Sequence, residues 1–259
     1  MYDFWVNALL AGTIIAVVAG PVGYMLVLRN QAFAGHALSH VGFTGATGAV
    51  LLGVSPLWGF VLLTMAAGVV MGRLGARAAE RDVAIGVVLT VALGFGLLFL
   101  HFYTAYATQA TSLLFGNILG IDAETIWTLL ALGAVCLVGL GAMFRPLLFA
   151  SLQPELAEAR GVRLDVVSMA FMALVGLAVA ECAQIVGVLL TFALLVGPAA
   201  AAQRWTGRVG AGIGLATVLA VGETWAGLAL SDVTDWPVSF WIAVLSGGAY
   251  LAACSRRGP

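Results

Sequence analysis

The chain has 259 residues, 62% of them hydrophobic and only 9% charged, with a formal net charge of -1. Soluble domains carry about a quarter charged residues, so this composition excludes a water-soluble globule. Its near-neutral balance also leaves no basic face for nucleic acid. Lysine is absent, and Cys136, Cys182 and Cys254 stand too far apart for a zinc-finger spacing or a disulfide framework. The class that remains is a polytopic, all-α membrane protein.

The opening Met-Tyr-Asp-Phe-Trp lacks the basic start and small-residue cleavage site of a signal peptide, so the first apolar run is expected to be a retained span. A hydrocarbon core about 30 Å thick takes about 20 apolar residues per helix. On that ruler the segments fall near 4–28, 32–54, 57–72, 83–103, 125–144, 166–181, 184–202, 209–230 and 237–254. The sixth and seventh are divided only by the polar run Glu181-Cys182-Ala183-Gln184. A second reading makes them one long helix followed by a re-entrant or broken one, for eight spans in place of nine.

The arginines bear on that choice. They cluster at Arg29; Arg73, Arg77 and Arg81; Arg145, Arg160 and Arg163; Arg204 and Arg208; and Arg256 and Arg257. With nine crossings and the N-terminus outside, every cluster falls on one side, which the positive-inside rule makes the cytoplasm. The opposite loops carry acids such as Asp122, Glu124, Asp232 and Asp235. Fusing the sixth and seventh segments moves Arg204 and Arg208 to the wrong side. Within the segments, Pro21 and Pro198 are expected to kink or end their helices. Gly42-x-x-Gly45-x-x-Gly48 and Gly68-x-x-x-Gly72 are spacings that let helices approach closely. The whole of 1–259 reads as a single transmembrane domain without a phosphate-binding loop, so any ATP-driven action draws on a separate subunit.

Among the three histidines, His36 and His40 share one face of the second segment, because positions i and i+4 of a helix stack. At about 1.5 Å per residue they lie roughly 10–16 Å from Arg29, within the bilayer. Two imidazoles suit zinc, copper, iron or nickel better than magnesium or calcium. A pair completed by water or one further ligand also releases its ion more easily than a closed four-ligand cage. Hydrogen bonding to Ser39 or Thr44 is the plainer alternative. In the zinc-protease pattern His-Glu-x-x-His the glutamate is the general base; here Ala37 takes its place, which argues against an intramembrane protease. Of the other polar residues in apolar runs (Asn117, Glu181, Gln184 and Glu223), Glu181 is placed near an outer helix end. There it either helps an ion enter or sits in an exposed turn. His101 reads as a solvated residue at the outer end of the fourth segment.

Two inner segments have the features of contact surfaces. Pro154, with Glu155 and Glu158 behind it and Gly161 closing, predicts a short surface helix. Gly197-Pro-Ala-Ala-Ala-Ala-Gln-Arg-Trp-Thr-Gly207 predicts a small-residue helix ending in Arg204 and Trp205, residue types favoured at protein contacts. Interfacial anchoring accounts equally well for Trp205.

Four stretches, in order, carry a resemblance over nearly the whole chain. They are Ala19-Gly-Pro-Val-Gly23 with Arg29 and Gly35-His-Ala-Leu-Ser-His40; Leu114-Phe-Gly-Asn-Ile-Leu119; Pro154-Glu-Leu-Ala157 through Gly161-Val162; and Val186-Gly-Val-Leu-Leu190 through Gly197-Pro-Ala-Ala200. Together they resemble the membrane permease subunit of the zinc- and manganese-uptake ABC transporters. The resemblance implies a fold related to the vitamin B12-type importers and a homodimer in the bacterial inner membrane. It also implies cytoplasmic ATP-binding subunits and an extracytoplasmic metal-binding protein as partners, with no permanently bound cofactor. By the same analogy, Pro198 through Arg204, Trp205 and Arg208 form the element that touches the ATPase. The family's second-helix motif usually reads Gly-Asp-x-x-x-His, its aspartate and histidine being transient metal ligands. His40 matches that histidine, and His36 stands in place of the aspartate. Exchanging a hard anionic ligand for a neutral nitrogen favours zinc over manganese. Other readings are manganese or iron import by the same machinery, or a secondary transporter proton-coupled through Glu181 or Glu223.

Overall fold

The structure, a computed structural model, describes residues 2–74, 81–102, 114–116 and 118–255. Asn117, Arg77, Arg256 and Arg257 lie outside the described residues. All regular structure in the described residues is helical: α1 (Tyr2–Leu28), α2 (Ala32–Leu51), α3 (Pro56–Leu74), α4 (Arg81–His101), α5 (Ala123–Leu152), α6 (Pro154–Ala159), α7 (Leu164–Val186), α8 (Val188–Trp205), α9 (Val209–Thr234) and α10 (Val238–Ser255), with a 3-10 turn at Ile118–Gly120. Eight of these helices (α1, α3, α4, α5, α7, α8, α9 and α10) are long and apolar enough to cross a bilayer. The 20-residue α2 has the length as well, but its Gly, Ser, Thr and His residues lower its hydropathy. Large apolar side chains such as Leu62 (68% exposed) and Val138 (72%) stand on the outside. Their solvent is lipid, and the chain is a multi-pass membrane protein.

The helices form two compact units. The first comprises Met1–Ala32, Thr111–Gly133 and Glu181–Pro259. Within it α1 packs on α8 and α9, and α8, α9 and α10 pack on one another. Backbone contact at glycine makes this possible. A Cβ on Gly23 of α1 would collide with the Leu195 carbonyl of α8, and one on Gly20 would meet the Thr217 backbone of α9. Side chains then cross-link the bundle: Gln203 Nε2 donates to the Tyr24 carbonyl at 2.9 Å, and Trp225 Nε1 donates to Thr13 Oγ1 at 2.9 Å.

The second unit comprises Phe33–Ala110 and Ala134–Ala180. Here Gly68 and Gly72 of α3 lie against the α7 backbone at Met172 and Met169, and Gly45 of α2 lies against Gly59 of α3. The close approach expected of these spacings is therefore realised. Thr44 Oγ1 of α2 donates to the Ala92 carbonyl of α4 at 2.8 Å.

Two local expectations change, the break between the sixth and seventh segments and the end of the fifth. The break between the sixth and seventh segments falls at Gly187, not at the polar run 181–184, and it separates two helices, α7 and α8. Gly187 has φ +89, and a Cβ there would collide with the Leu114–Gly116 backbone, so no other residue fits the joint. Pro21 and Pro198 lie inside α1 and α8 without ending them. Likewise α5 runs through Pro146 to Leu152, beyond the expected segment 125–144. Membrane helices tolerate proline because neighbouring groups satisfy the freed backbone. The short helix at Pro154 forms as expected: Val162 N–H donates to the Ala157 carbonyl and Gly161, at φ +83, closes it.

Two outcomes test this packing. Gly23→Val forces a branched side chain into the Leu195 carbonyl, and overpacking of this kind costs about 1–3 kcal/mol or more. Thermal unfolding in lipid nanodiscs should show that loss, with Gly86→Ala, whose Cβ meets nothing within 4 Å, left close to wild type. At the start of α5, Asp122 Oδ1 accepts the Thr125 N–H at 2.9 Å, and these bonds hold its carboxyl below the usual carboxylate range. Its contribution is full above the unfolded pKa and is lost as pH falls through the lower folded value. Asp122→Ala should lower the unfolding temperature at neutral pH, with the difference closing at strongly acid pH.

Candidate functional site

In α2 the two histidines are brought together as helical spacing requires. Their ring centroids lie 4.8 Å apart with planes at 82°, edge to face. Both rings are half-buried, whereas Ala37, Leu38 and Ser39 between them are buried. Phe33, one turn earlier, brings its ring to 6.4 Å from that of His36. Ser39 spends its hydroxyl hydrogen on the backbone, donating to the His36 carbonyl at 2.8 Å. Thr44 is likewise committed to Ala92. No group of three or more His, Cys, Asp or Glu side chains able to hold a metal occurs among the described residues. The pair therefore offers two nitrogen donors and leaves the remaining coordination positions to water or to an arriving ion's own ligands, an arrangement suited to exchange.

Of the two readings of Glu181, the exposed turn is excluded. The residue lies in α7, is fully buried, and neither carboxylate oxygen has a hydrogen-bond partner among the described residues. Gly133 of α5 makes room for it: a Cβ there would stand 3.4 Å from Glu181 Oε2 and 3.0 Å from Val18 Cγ2. One turn on, the Gln184 Oε1 is also buried without a donor. Glu223 of α9 is 6% exposed and shares this condition. Ionisable groups at membrane depth are expensive unless they serve a pathway or find a partner. His101 stands exposed at the end of α4, as expected of a solvated histidine.

At the other candidate surface, Pro198 is buried within α8, while Arg204, Trp205 and Arg208 are exposed where α8 gives way to α9. Arg204 donates to the Tyr250 hydroxyl at 3.1 Å and lies 5.1 Å from the centre of that ring. The exposed contact surface thus begins at Arg204, with Pro198 behind it as part of the helix body.

Among the described residues, a multi-pass bundle built only of helices defines an α-helical membrane protein as the class. The chain matches the ABC 3 transport family over residues 1–257 and belongs to that family. It is 28% identical over 235 residues to the manganese transport system membrane protein MntC of Halalkalibacterium halodurans, covering 90% of this chain and 80% of that one. It is 30% identical over 205 residues to the manganese import system permease protein ScaB of Streptococcus parasanguinis, covering 79% and 73%. Among solved structures, PsaBC from Streptococcus pneumoniae in complex with Fab matches with a TM-score of 0.86 at 25% identity, covering 97% of this chain and 91% of that one.

Removing the orphaned carboxyl of Glu181 tests its role. Replacing a buried polar group that lacks partners by an apolar one of similar size is neutral or stabilising, by about 1–3 kcal/mol. Glu181→Leu should therefore raise the unfolding temperature in nanodiscs; a clear fall would show that the carboxyl is bonded in the folded protein.

Proposed function

We propose that this chain is the permease subunit of an ATP-driven importer of divalent transition metal, with zinc as the ion carried. The observation that carries the reading is the edge-to-face imidazole pair His36–His40 on α2, in a chain of the ABC 3 transport family. Two neutral nitrogens with open coordination positions bind a borderline ion such as zinc, and they let it go when the pathway opens to the other side. Glu181, buried in α7, is a further candidate carboxylate donor for the transported ion. Manganese is the second reading, favoured by the relatives MntC and ScaB, whose names specify manganese.

The permease acts as a homodimer in the bacterial inner membrane, crossing it nine times with its N-terminus outside. On that topology Arg29, Arg73, Arg204 and Arg208 all lie at cytoplasmic helix ends, in accord with the positive-inside rule. An extracytoplasmic binding protein delivers the metal, and a cytoplasmic ATPase subunit docks at Arg204, Trp205 and Arg208. Hydrolysis on that subunit, coupled through α8, shifts the helices between outward- and inward-open states, and this chain carries no ATPase chemistry of its own.

The test is ATP-driven uptake of zinc and manganese into vesicles holding the permease, its ATPase and its binding protein. His36→Ala and His40→Ala should each reduce zinc uptake by at least about tenfold, in line with the loss of a metal-site interaction. His36→Asp should move preference towards manganese. Unchanged zinc uptake in both alanine variants would remove the pair from the route.

A further inference from the structure

Glu223 sits in a polar knot formed by α8, α9 and α10. Gly227 of α9 lies against Ile242 of α10, and one turn further along these antiparallel helices Glu223 and Ser246 come level with each other. Ser246 Oγ lies 2.9 Å from the Ala193 carbonyl of α8. A carbonyl only accepts, so the hydroxyl's one hydrogen is committed there, and towards Glu223 Ser246 has only lone pairs to offer. A carboxylate facing those lone pairs would be repelled, whereas a carboxylic acid has a hydrogen to donate. The close approach is built in: a Cβ on Gly197 would collide with Ser246 Oγ. Pro198 follows directly and deprives the Leu194 carbonyl of its i+4 donor. The helices packed on α9 are α1, α8 and α10. The described titratable groups on those helices are Tyr24, Arg204, Tyr250 and Cys254.

We propose that Glu223 is a proton-binding site whose occupancy sets the hydrogen bond between α10 and α8. With the proton bound, Glu223 donates to Ser246 and Ser246 donates to Ala193. When the acid O–H bond breaks, the proton passes to water and the electron pair stays on the carboxylate. The Ser246 hydrogen then turns to Glu223, and the Ala193 carbonyl loses its partner on α10. Ala193 is four residues before Gly197-Pro198 on the helix that ends in Arg204 and Trp205, so proton release loosens the attachment of α8. The proposal rests on the transporter reading only in giving that end of α8 a partner, and the proton site is tested without transport.

The experiment is infrared difference spectroscopy of the full-length chain in lipid vesicles, wild type against Glu223→Gln, titrated from acid to alkaline pH. The expected result is a protonated-carboxyl band at neutral pH that is absent from Glu223→Gln and is replaced by carboxylate bands at alkaline pH. Ser246→Ala, which removes the acceptor, should shift that band to higher frequency. Carboxylate bands alone at every pH, an acid band that never titrates, or an acid band unmoved by Ser246→Ala would each overturn the proposal. Should Glu223→Gln fail to fold, the Ser246→Ala shift and the titration carry the test alone. Loss of the metal-import reading would leave these spectra unaffected.

Discussion

Contact between helix backbones, made where glycine removes the side chain, is the constraint on which this structure depends. Lipid tails are as apolar as leucine, so no hydrophobic drive pulls membrane helices together, and close packing has to supply the attraction. Gly20 and Gly23 do so for α1 against α9 and α8, and Gly68 and Gly72 do so for α3 against α7. The polar interactions follow from this closeness. Ser246 reaches the Ala193 carbonyl because Gly197 has no side chain in the way. In the same manner Thr44 reaches Ala92 where Gly96, one turn on, leaves space beside it.

The same constraint explains which polar groups stand out. With no water in the hydrocarbon core, hydroxyls in the spans return their hydrogens to the backbone of their own helix, as Thr64, Thr191 and Thr224 do. Against that thorough satisfaction, Glu181, Gln184 and Glu223 are exceptions, with buried oxygens that accept nothing. The half-buried imidazole pair of α2, edge to face at 4.8 Å, is a third kind of feature. Ionisable groups at membrane depth are costly unless they line a pathway or find a partner.

Much of this was legible in the chain. Span positions followed from apolar length alone, the i, i+4 spacing placed His36 beside His40, and Pro154 with Gly161 marked α6. Burial was harder to read, because lipid-facing and core-facing positions are both apolar and the usual contrast between helix faces disappears. Glu181 illustrates the consequence. Its run of polar neighbours imitated a turn, yet the helix passes through it and breaks six residues later at Gly187, where a left-handed backbone meets the Leu114–Gly116 segment. The fifth segment, expected at 125–144, runs on to Leu152 for a related reason, since a proline that would end a helix in water, Pro146, is accommodated inside α5. Pro198, grouped by its neighbours with an exposed contact element, is buried because α8 extends through it to Trp205.

The central claim is that the imidazoles of α2 hold the metal in passage, and X-ray absorption at the zinc edge reads this most directly. For the permease trapped with zinc during transport, the account predicts a first shell of nitrogen and oxygen with the outer-shell signature of two imidazoles, falling to one in either His36→Ala or His40→Ala. A shell without imidazole, or one unchanged in both variants, would contradict it.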